Sequence, residues 1–300
     1  MDSRDVFAIL NPLAGQARVP ATADEIARLL AAQGLRPALH LTTGPGDAQT
    51  AATEALQRGF ERVAVAGGDG TISEVTGALA GTGAAMGVIP LGTGNALGRE
   101  LGLPLGDLPA ACRIIAEGHT RRIDVGVCNG TAFAIMCSVG FDAEVAFGAH
   151  QGAWKTVLGK WAFVTQFFLK LSRASPRHFR VTVDDRSIEE RLWAVAICNG
   201  SQYTWRLRFA PDARLDDGGL HVVLFHKRGR LPLAYDVSRH WLSHGMRLLS
   251  DTTTLRAHTI RVEVDPPVRW QTDGDVRGMS PIEVAVHPQA LRLIVADQPG

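Results

Sequence analysis

The sequence contains little cysteine, almost no net charge and no long uncharged apolar run. Its four cysteines lie far apart without a CxxC pair, which disfavours a disulfide framework or a zinc site and favours buried or free thiols in a reducing compartment. Lys and Arg number 31 and Asp and Glu 30, a balance that argues against a protein whose main partner is nucleic acid. No apolar run reaches the roughly 18 residues that span a bilayer, and the polar N-terminus does not resemble a signal peptide. We therefore expect a cytoplasmic protein without a transmembrane segment.

The first third of the chain alternates short apolar runs with segments of helical spacing. This alternation predicts an α/β domain of parallel strands with helices packed over the sheet. The predicted strands are 6–10, 35–41, 62–66 and 85–89, and the predicted helices are 21–33, 47–58, 72–79 and 95–101. Ligands bind such sheets outside the carboxyl ends of the strands, where the glycine-rich segments 11–15, 67–71 and 92–95 are all expected.

From Arg121 onward the chain consists mainly of short alternating runs separated by turn signals. This pattern predicts a second, mainly antiparallel β domain of sandwich type, with a division into residues 1–121 and 122–300. The predicted strands are 123–128, 132–137, 178–183, 192–198, 220–225, 260–264 and 282–286, and helical stretches are predicted at about 152–173 and 232–249.

The segment Gly67-Gly68-Asp69-Gly70-Thr71 occupies the turn from a predicted strand to a predicted helix. Glycines let the backbone approach a ligand closely, and the first amides of a helix have no internal partner, so this end favours a phosphate. Because Asp69 would repel a bare phosphate, it suggests a bound Mg²⁺ or a role in orienting a reacting group. A tight turn capped by Asp69 is the alternative interpretation.

Pro90-Leu91-Gly92-Thr93-Gly94-Asn95 repeats this design after the next strand, and Asn95 is a predicted N-cap. Other nucleotide and hydrolase motifs are absent. No Lys follows the glycines as in Walker A, no GxGxxG follows the first strand, and no GxSxG accompanies the ten scattered histidines.

Several motifs occur together and in order: NPLAG (11–15), TTGPGDA (42–48), GGDGTISEV (67–75), PLGTGN (90–95), IDVG (123–126), SVGFDAEV (138–145), APDARLDDGGL (210–220) and TDGD (272–275). Together they resemble the diacylglycerol kinase catalytic domain in its bacterial lipid-kinase form. The resemblance spans almost the whole chain, and its specificity comes from the order and spacing of many motifs.

The resemblance implies an ATP-dependent kinase that acts on a lipid hydroxyl, with Mg²⁺ and with its active site in the cleft between the two domains. It implies contact with the inner membrane surface, where the lipid lies, and leaves a homodimer open. The nucleotide-binding residues it implies are Asn11, Thr42, Gly67, Gly68, Asp69, Gly70, Thr71, Ser73, Glu74, Thr93, Asn95 and Asp124, the last within an acidic network linked to magnesium. Asp273, beside Asp275, corresponds to the general base or its close equivalent. The turn 214–219 corresponds to a structural Mg²⁺ site formed by Asp217 and the carbonyls of Arg214 and Gly219.

Two departures from the family pattern bear on activity. Ala96 follows Asn95 where many bacterial relatives carry Asp, and Asp275 replaces the usual Glu of a DGE signature. They keep open a catalytically weakened regulator that binds lipid or nucleotide. An NAD kinase-like enzyme is a further alternative, since GGDG loops also occur there, although no second glycine-serine motif of that kind is present.

The segment 152–173 combines apolar residues at helical spacing with interspersed Lys and Arg. A helix of this kind can lie in a membrane interface or pack on the β domain, and the sequence does not separate the two. Either arrangement would suit a lipid substrate, whose identity the sequence does not give.

Overall fold

The computed structural model describes residues 4–14, 23–150, 161–172, 174–202, 208–226 and 251–297. The chain forms two compact units: unit 1 is Met1–Val125 with Pro288–Gly300, and unit 2 is Gly126–His287. The predicted helix at 232–249, the first part of the predicted helix at 152–173 and Gly15 of the first motif lie outside the described residues.

Unit 1 alternates strands and helices in its first hundred residues. The strands are β1 (Asp5–Leu10), β2 (Arg36–Leu41), β3 (Arg62–Gly67) and β4 (Ala85–Pro90). The helices are α1 (Ala23–Ala32), α2 (Asp47–Gln57), α3 (Asp69–Leu79), α4 (Ala96–Glu100) and α5 (Leu108–Glu117). The predicted α/β character is therefore confirmed.

The strands of unit 1 pair in parallel in the order β2-β1-β3-β4. Strands β1, β3 and β4 are buried almost throughout, as expected for strands covered on both faces, whereas β2 at the edge is only partly buried. The final strand β15 (Ile282–Ile294) adds to the other edge, where Arg292 and Leu293 pair in parallel with Ala85 and Met86 of β4. Because β2 lies on one side of β1 and β3 lies on the other, the order in which strands are added to the sheet reverses between β1 and β3.

Two helices of unit 1 differ from the prediction. Helix α3 begins at Asp69, three residues before the predicted start at Ile72, because Gly68 is extended and its carbonyl already accepts the N–H of Ile72. Helix α5 is not among the predicted helices. Its signals are present, however: the carboxylate of Asp107 accepts the N–H of Ala110, and Gly118 ends the helix with a positive φ.

Unit 2 is built mainly from antiparallel strands. They are β5 (Thr120–Cys128, which starts in unit 1), β6 (Thr131–Phe133), β7 (Met136–Gly140), β8 (Arg177–Val183), β9 (Arg186–Cys198), β10 (Leu220–His226), β11 (Thr252–Ala257), β12 (Thr259–Asp265), β13 (Arg269–Thr272), β14 (Asp275–Met279) and the first half of β15. Their order is β14-β13-β7-β9-β8-β12-β15, and β10 joins β9 to β11. The predicted run 132–137 is two strands, and β11, β13 and β14 were not predicted.

One apolar core holds unit 2 together. Phe179 of β8, Val195 of β9, Val222 of β10 and Val262 of β12 are completely buried in it. Trp270 of β13 and Ile282 of β15 belong to the same core although β13 and β15 lie far apart in the strand order, which indicates that the sheet folds over itself, as the predicted sandwich requires. Two helices accompany the strands, α6 (Phe141–His150), which was not predicted, and α7 (Trp161–Leu171). In the described part of the chain no helix is both long and apolar enough to cross a membrane.

Candidate functional site: joined glycine loops and two aspartate turns

The carboxyl ends of β1 and β3 lie side by side at the point where the strand order of unit 1 reverses. Asn11 follows β1, and its amide Nδ2 donates a hydrogen bond of 3.0 Å to Thr71 Oγ1. Thr71 in turn packs against Gly67, where an added Cβ would lie 2.7 Å from Thr71 Cβ. This edge of a parallel sheet is where such folds bind their ligands, and it contains the first predicted motif and the GGDGT segment.

The two glycine-rich loops contact each other directly. A Cβ on Gly92 would lie 2.7 Å from the Cα of Gly68, so the two backbones approach more closely than any side chain allows. Asp69 strengthens this contact, since its two carboxylate oxygens accept the N–H groups of Asn95 at 2.9 Å and Ala96 at 2.7 Å. The carboxylate of Asp69 therefore caps α4 and fastens the second glycine loop to the first.

Asn95 occupies the predicted N-cap position, but its side chain does not cap the helix. Its Nδ2 donates to the Gly92 carbonyl at 2.7 Å, and its backbone has the left-handed φ of 52°. Among the residues that the structure describes, neither the buried Oδ1 of Asn95 nor the buried Oγ of Ser73 finds a hydrogen-bond partner. Buried polar atoms without a partner are rare, and here they lie in the segments that border the joined loops.

The N-terminus of α3 lies at the joined loops and has no side-chain cap. Its first amides and the helix dipole favour an anion, and the close approach of Gly68 and Gly92 leaves a surface without side chains. Thr93 is exposed in the second loop. These features fit the phosphates of a nucleotide.

Glu74 of α3 and Thr42, the residue after β2, both hold the chain between β2 and α2. The carboxylate of Glu74 accepts the N–H groups of Gly46 at 2.8 Å and Ala48 at 3.1 Å, and so caps α2. Thr42 is buried, and its N–H donates to the Leu10 carbonyl. Glu74 therefore supports the loop after β2, while Thr42 continues the pairing of β2 with β1.

Asp124 is completely buried in β5. Its Oδ1 accepts the N–H of Gln289 at 2.8 Å, at a residue with the positive φ of 51°. In unit 1 this carboxylate therefore holds the second half of β15 at the residue whose φ is positive.

The two aspartates of the TDGD segment in unit 2 have different environments. Asp273 accepts three backbone N–H bonds, from Ala134 at 2.9 Å, Ile135 at 3.0 Å and Met136 at 2.9 Å. The side chain of Asp275 is 41% exposed, and its nearest charged partner is Arg277 at 3.5 Å. Asp273 thus anchors the turn between β13 and β14, and Asp275 presents its carboxylate to solvent.

The turn 214–219 contains Asp217, the predicted side-chain ligand of a Mg²⁺ ion. One carboxylate oxygen accepts the Gly219 N–H at 3.1 Å, and the other lies 2.9 Å from His221 Nε2. Arg256 Nη2 lies 3.6 Å from the first oxygen and also donates to the Asp217 carbonyl. Asp217 N–H is directed at the Arg214 carbonyl, at 3.3 Å.

These donors do not fit Mg²⁺ in the arrangement described. The ion requires near-octahedral oxygen ligands at about 2.0–2.1 Å, whereas the guanidinium of Arg256 already offsets the charge of Asp217. Among the described residues no group of three or more His, Cys, Asp or Glu could hold a metal ion.

The four cysteines are free and buried, as predicted. Burial raises the pKa of the Cys112 thiol to about 11. It also raises the pKa of Cys137 well above its ordinary value, with Cys128 and Asp273 adding to the effect. Neutral, buried thiols are poor nucleophiles and poor metal ligands, so they belong to the core.

Phosphoryl transfer requires mainly positioning and charge stabilisation, which glycine loops and separate carboxylates supply. The fold and the joined loops are therefore suited to a phosphotransferase.

The diacylglycerol kinase catalytic domain matches residues 5–128, and the YegS C-terminal NAD kinase beta sandwich-like domain matches residues 135–295. A diacylglycerol kinase of Mycobacterium tuberculosis is 32% identical over 96% of this chain and 94% of its own. A YegS-like lipid kinase of Pseudomonas aeruginosa is 32% identical over 90% and 89%. A diacylglycerol kinase of Bacillus anthracis has a similar structure, with a TM-score of 0.74 at 21% identity over 98% and 97% of the two chains. The chain therefore belongs to the diacylglycerol kinase catalytic-domain family of lipid kinases, which are phosphotransferases with an alcohol group as acceptor.

We expect Asp69→Asn to raise the KM for nucleotide and to lower stability. Each carboxylate oxygen of Asp69 accepts one backbone N–H, and in the variant the NH₂ group of the side-chain amide would face one of these two N–H groups. The loss of one such bond costs about 1–3 kcal/mol. Asp107→Ala is the matched control, since it removes the N–H bond by which Asp107 caps α5. Steady-state kinetics and urea unfolding should give similar losses of stability in both variants but a raised KM only for Asp69→Asn. An unchanged KM would show that Asp69 is only a helix cap.

We expect the Tm of the wild-type protein to be equal in Mg²⁺ and in EDTA, because the carboxylate of Asp217 is already paired. Asp217→Ala should lower the Tm equally in both buffers, by roughly 2–4 °C for each kcal/mol lost. Asp212→Ala, at an exposed aspartate of the same segment, is the control. A wild-type Tm that falls in EDTA, with no such fall in Asp217→Ala, would show that the turn takes up an ion.

Proposed function

We propose that the chain transfers the terminal phosphate of ATP to the hydroxyl group of a diacylglycerol or a related lipid. The observation that carries this proposal is the junction of the two glycine loops at the reversal point of the parallel sheet, where backbone amides and glycines favour phosphate. Asn11, Thr71 and Thr93 would complete the nucleotide contacts. Mg²⁺ would enter on the nucleotide phosphates and offset their charge, because Mg²⁺ in such enzymes is bound largely through substrate.

Asp275 is the better candidate for the general base. A base must have an oxygen that can approach the substrate hydroxyl, and the oxygens of Asp273 already accept three backbone N–H bonds. The carboxylate of Asp275 is partly exposed. In the proposed reaction Asp275 takes the hydroxyl proton, the lipid oxygen forms a bond to the γ-phosphorus, and the bond from that phosphorus to the bridging oxygen breaks to release ADP.

Ala96 does not disturb the glycine loops. The contact of residue 96 with Asp69 uses its backbone N–H, which any residue other than proline supplies. An aspartate at this position is therefore not needed to join the loops, which favours an active kinase over a weakened regulator.

Helix α7 offers apolar surface suited to a lipid substrate. Leu171 is buried, whereas Phe168 and Leu169 are 42% and 52% exposed. Exposed apolar side chains beside Lys170 are typical of helices that contact a membrane interface, so we place the membrane contact of unit 2 here.

The substrate class is tested with radiolabelled ATP and a panel of diacylglycerol, sphingosine, ceramide, phosphatidylglycerol and NAD, with the lipids in detergent micelles. We expect label in an extracted lipid and none in NAD. Label in NAD alone would favour the NAD kinase-like alternative, which the match to the C-terminal domain model keeps relevant. Nucleotide binding without transfer to any acceptor would favour a regulator.

The base is tested by comparing Asp275→Asn with the wild-type protein. A positioned general base contributes about 10²–10⁴-fold to rate, so we expect kcat to fall by that factor while the Kd for nucleotide stays unchanged. Asp273→Asn should instead lower stability together with kcat, because it disturbs the N–H bonds that hold the turn. Full activity of Asp275→Asn would refute this assignment.

A further inference from the structure

A buried polar chain in unit 2 leads to the turn that carries Asp275. Ser138 of β7 and Gln271 of β13 are directly paired across the two strands, and both are completely buried. Gln271 Nε2 donates to Ser138 Oγ at 2.8 Å and to Asp142 Oδ2 at 3.2 Å. Ser138 Oγ donates to the same Asp142 oxygen at 2.5 Å. Asp142 belongs to the first turn of α6, where a carboxylate also complements the helix dipole.

The other end of the Gln271 amide contacts the turn itself. Gln271 Oε1 accepts the N–H of Gly274 at 2.7 Å, and Gly274 lies between the two aspartates with a φ of 95°. An ionised carboxylate only accepts hydrogen bonds, so Asp142 fixes Ser138 and the amide nitrogen of Gln271 as donors. The oxygen of Gln271 is therefore directed at the Gly274 N–H.

The turn is thus held from two sides. Asp273 is bound by the backbone of residues 134–136, and the Gly274 peptide is bound by Gln271. Burying the Ser138 hydroxyl and the Gln271 amide among apolar strands costs free energy unless both are paired, and an apolar pair at these positions would hold β7 to β13 equally well. The polar chain ends at the N–H of Gly274, the residue that immediately precedes Asp275.

We propose that Gln271, oriented by Ser138 and Asp142, is a positioning residue that sets where the carboxylate of Asp275 lies. This inference rests on the proposed function, in which Asp275 takes the hydroxyl proton. A displacement of about 1 Å at a reacting group can reduce the rate about 10²-fold, so such an anchor has a measurable effect.

The test is Gln271→Met, which keeps the approximate length of the side chain and removes its hydrogen bonds. We expect kcat to fall about 10²-fold with the KM for nucleotide unchanged. The double variant Gln271→Met/Asp275→Asn should be no slower than Asp275→Asn alone, because an anchor has no effect once the base is gone. A purely structural residue would lower the Tm without changing kcat.

Ser138→Ala and Ser280→Ala form a matched pair that decides the question even if Gln271→Met does not fold. Ser280 is buried at the end of β14, where its Oγ accepts the Val268 N–H at 3.1 Å, away from the Gln271 amide. Both variants lose one buried hydroxyl and should lose a similar amount of stability. Only Ser138→Ala should lower kcat, and equal kcat values in the two variants would overturn the inference.

These measurements separate the inference from the proposed function. If Asp275→Asn is inactive while the Gln271 and Ser138 variants keep the wild-type kcat, only the positioning role fails. If Asp275→Asn is fully active, the assignment of the base fails, and the positioning role fails with it.

Discussion

The contact between two stretches of peptide backbone is the constraint on which the arrangement of the two glycine loops in unit 1 depends. The backbones of Gly68 and Gly92 approach so closely that a side chain at Gly92 would collide with Gly68, and the carboxylate of Asp69 holds the second loop in place. By capping α4, the carboxylate of Asp69 holds the loops that follow the adjacent strands β3 and β4 in one arrangement. Preorganised backbone amides can stabilise the charge of a phosphate without rearranging during the reaction.

The same device recurs with other carboxylates of the chain. Glu74 caps α2, Asp273 binds three amides of a neighbouring loop, and Asp217 binds its own turn together with Arg256. Most of the acidic residues that resemble family site residues are therefore engaged with backbone N–H groups in this structure. Their acidity shapes the loops, and Asp275 stands apart because its carboxylate is more exposed.

The sequence was sufficient to predict the strands and helices whose own residues indicate one type of secondary structure. Continuous apolar runs such as Val6–Leu10 predicted the buried parallel strands, and glycines marked the loops at their carboxyl ends. The predicted start of α3 was too late because Gly70, a residue type that usually interrupts a helix, lies in the first turn of this helix. Strands β13 and β14 were not predicted because they are short and carry polar residues such as Gln271. The amide nitrogen of Gln271 is paired with partners 129 and 133 positions away in the sequence. The same distance along the chain hid the anchoring of Asp273, since no local pattern shows which amides a carboxylate will bind.

Unit 1 is assembled from the beginning and the end of the chain, and this has a consequence for its synthesis on the ribosome. The edge of β4 gains its parallel partner only when Arg292 and Leu293 have been translated, and Asp124 receives the Gln289 N–H at the same late stage. The nascent chain must therefore carry an incomplete unit 1 throughout the translation of unit 2. Exposed strand edges are sites of aggregation, so we expect chaperones that bind nascent chains to matter more for this protein than for one whose domains are completed in sequence.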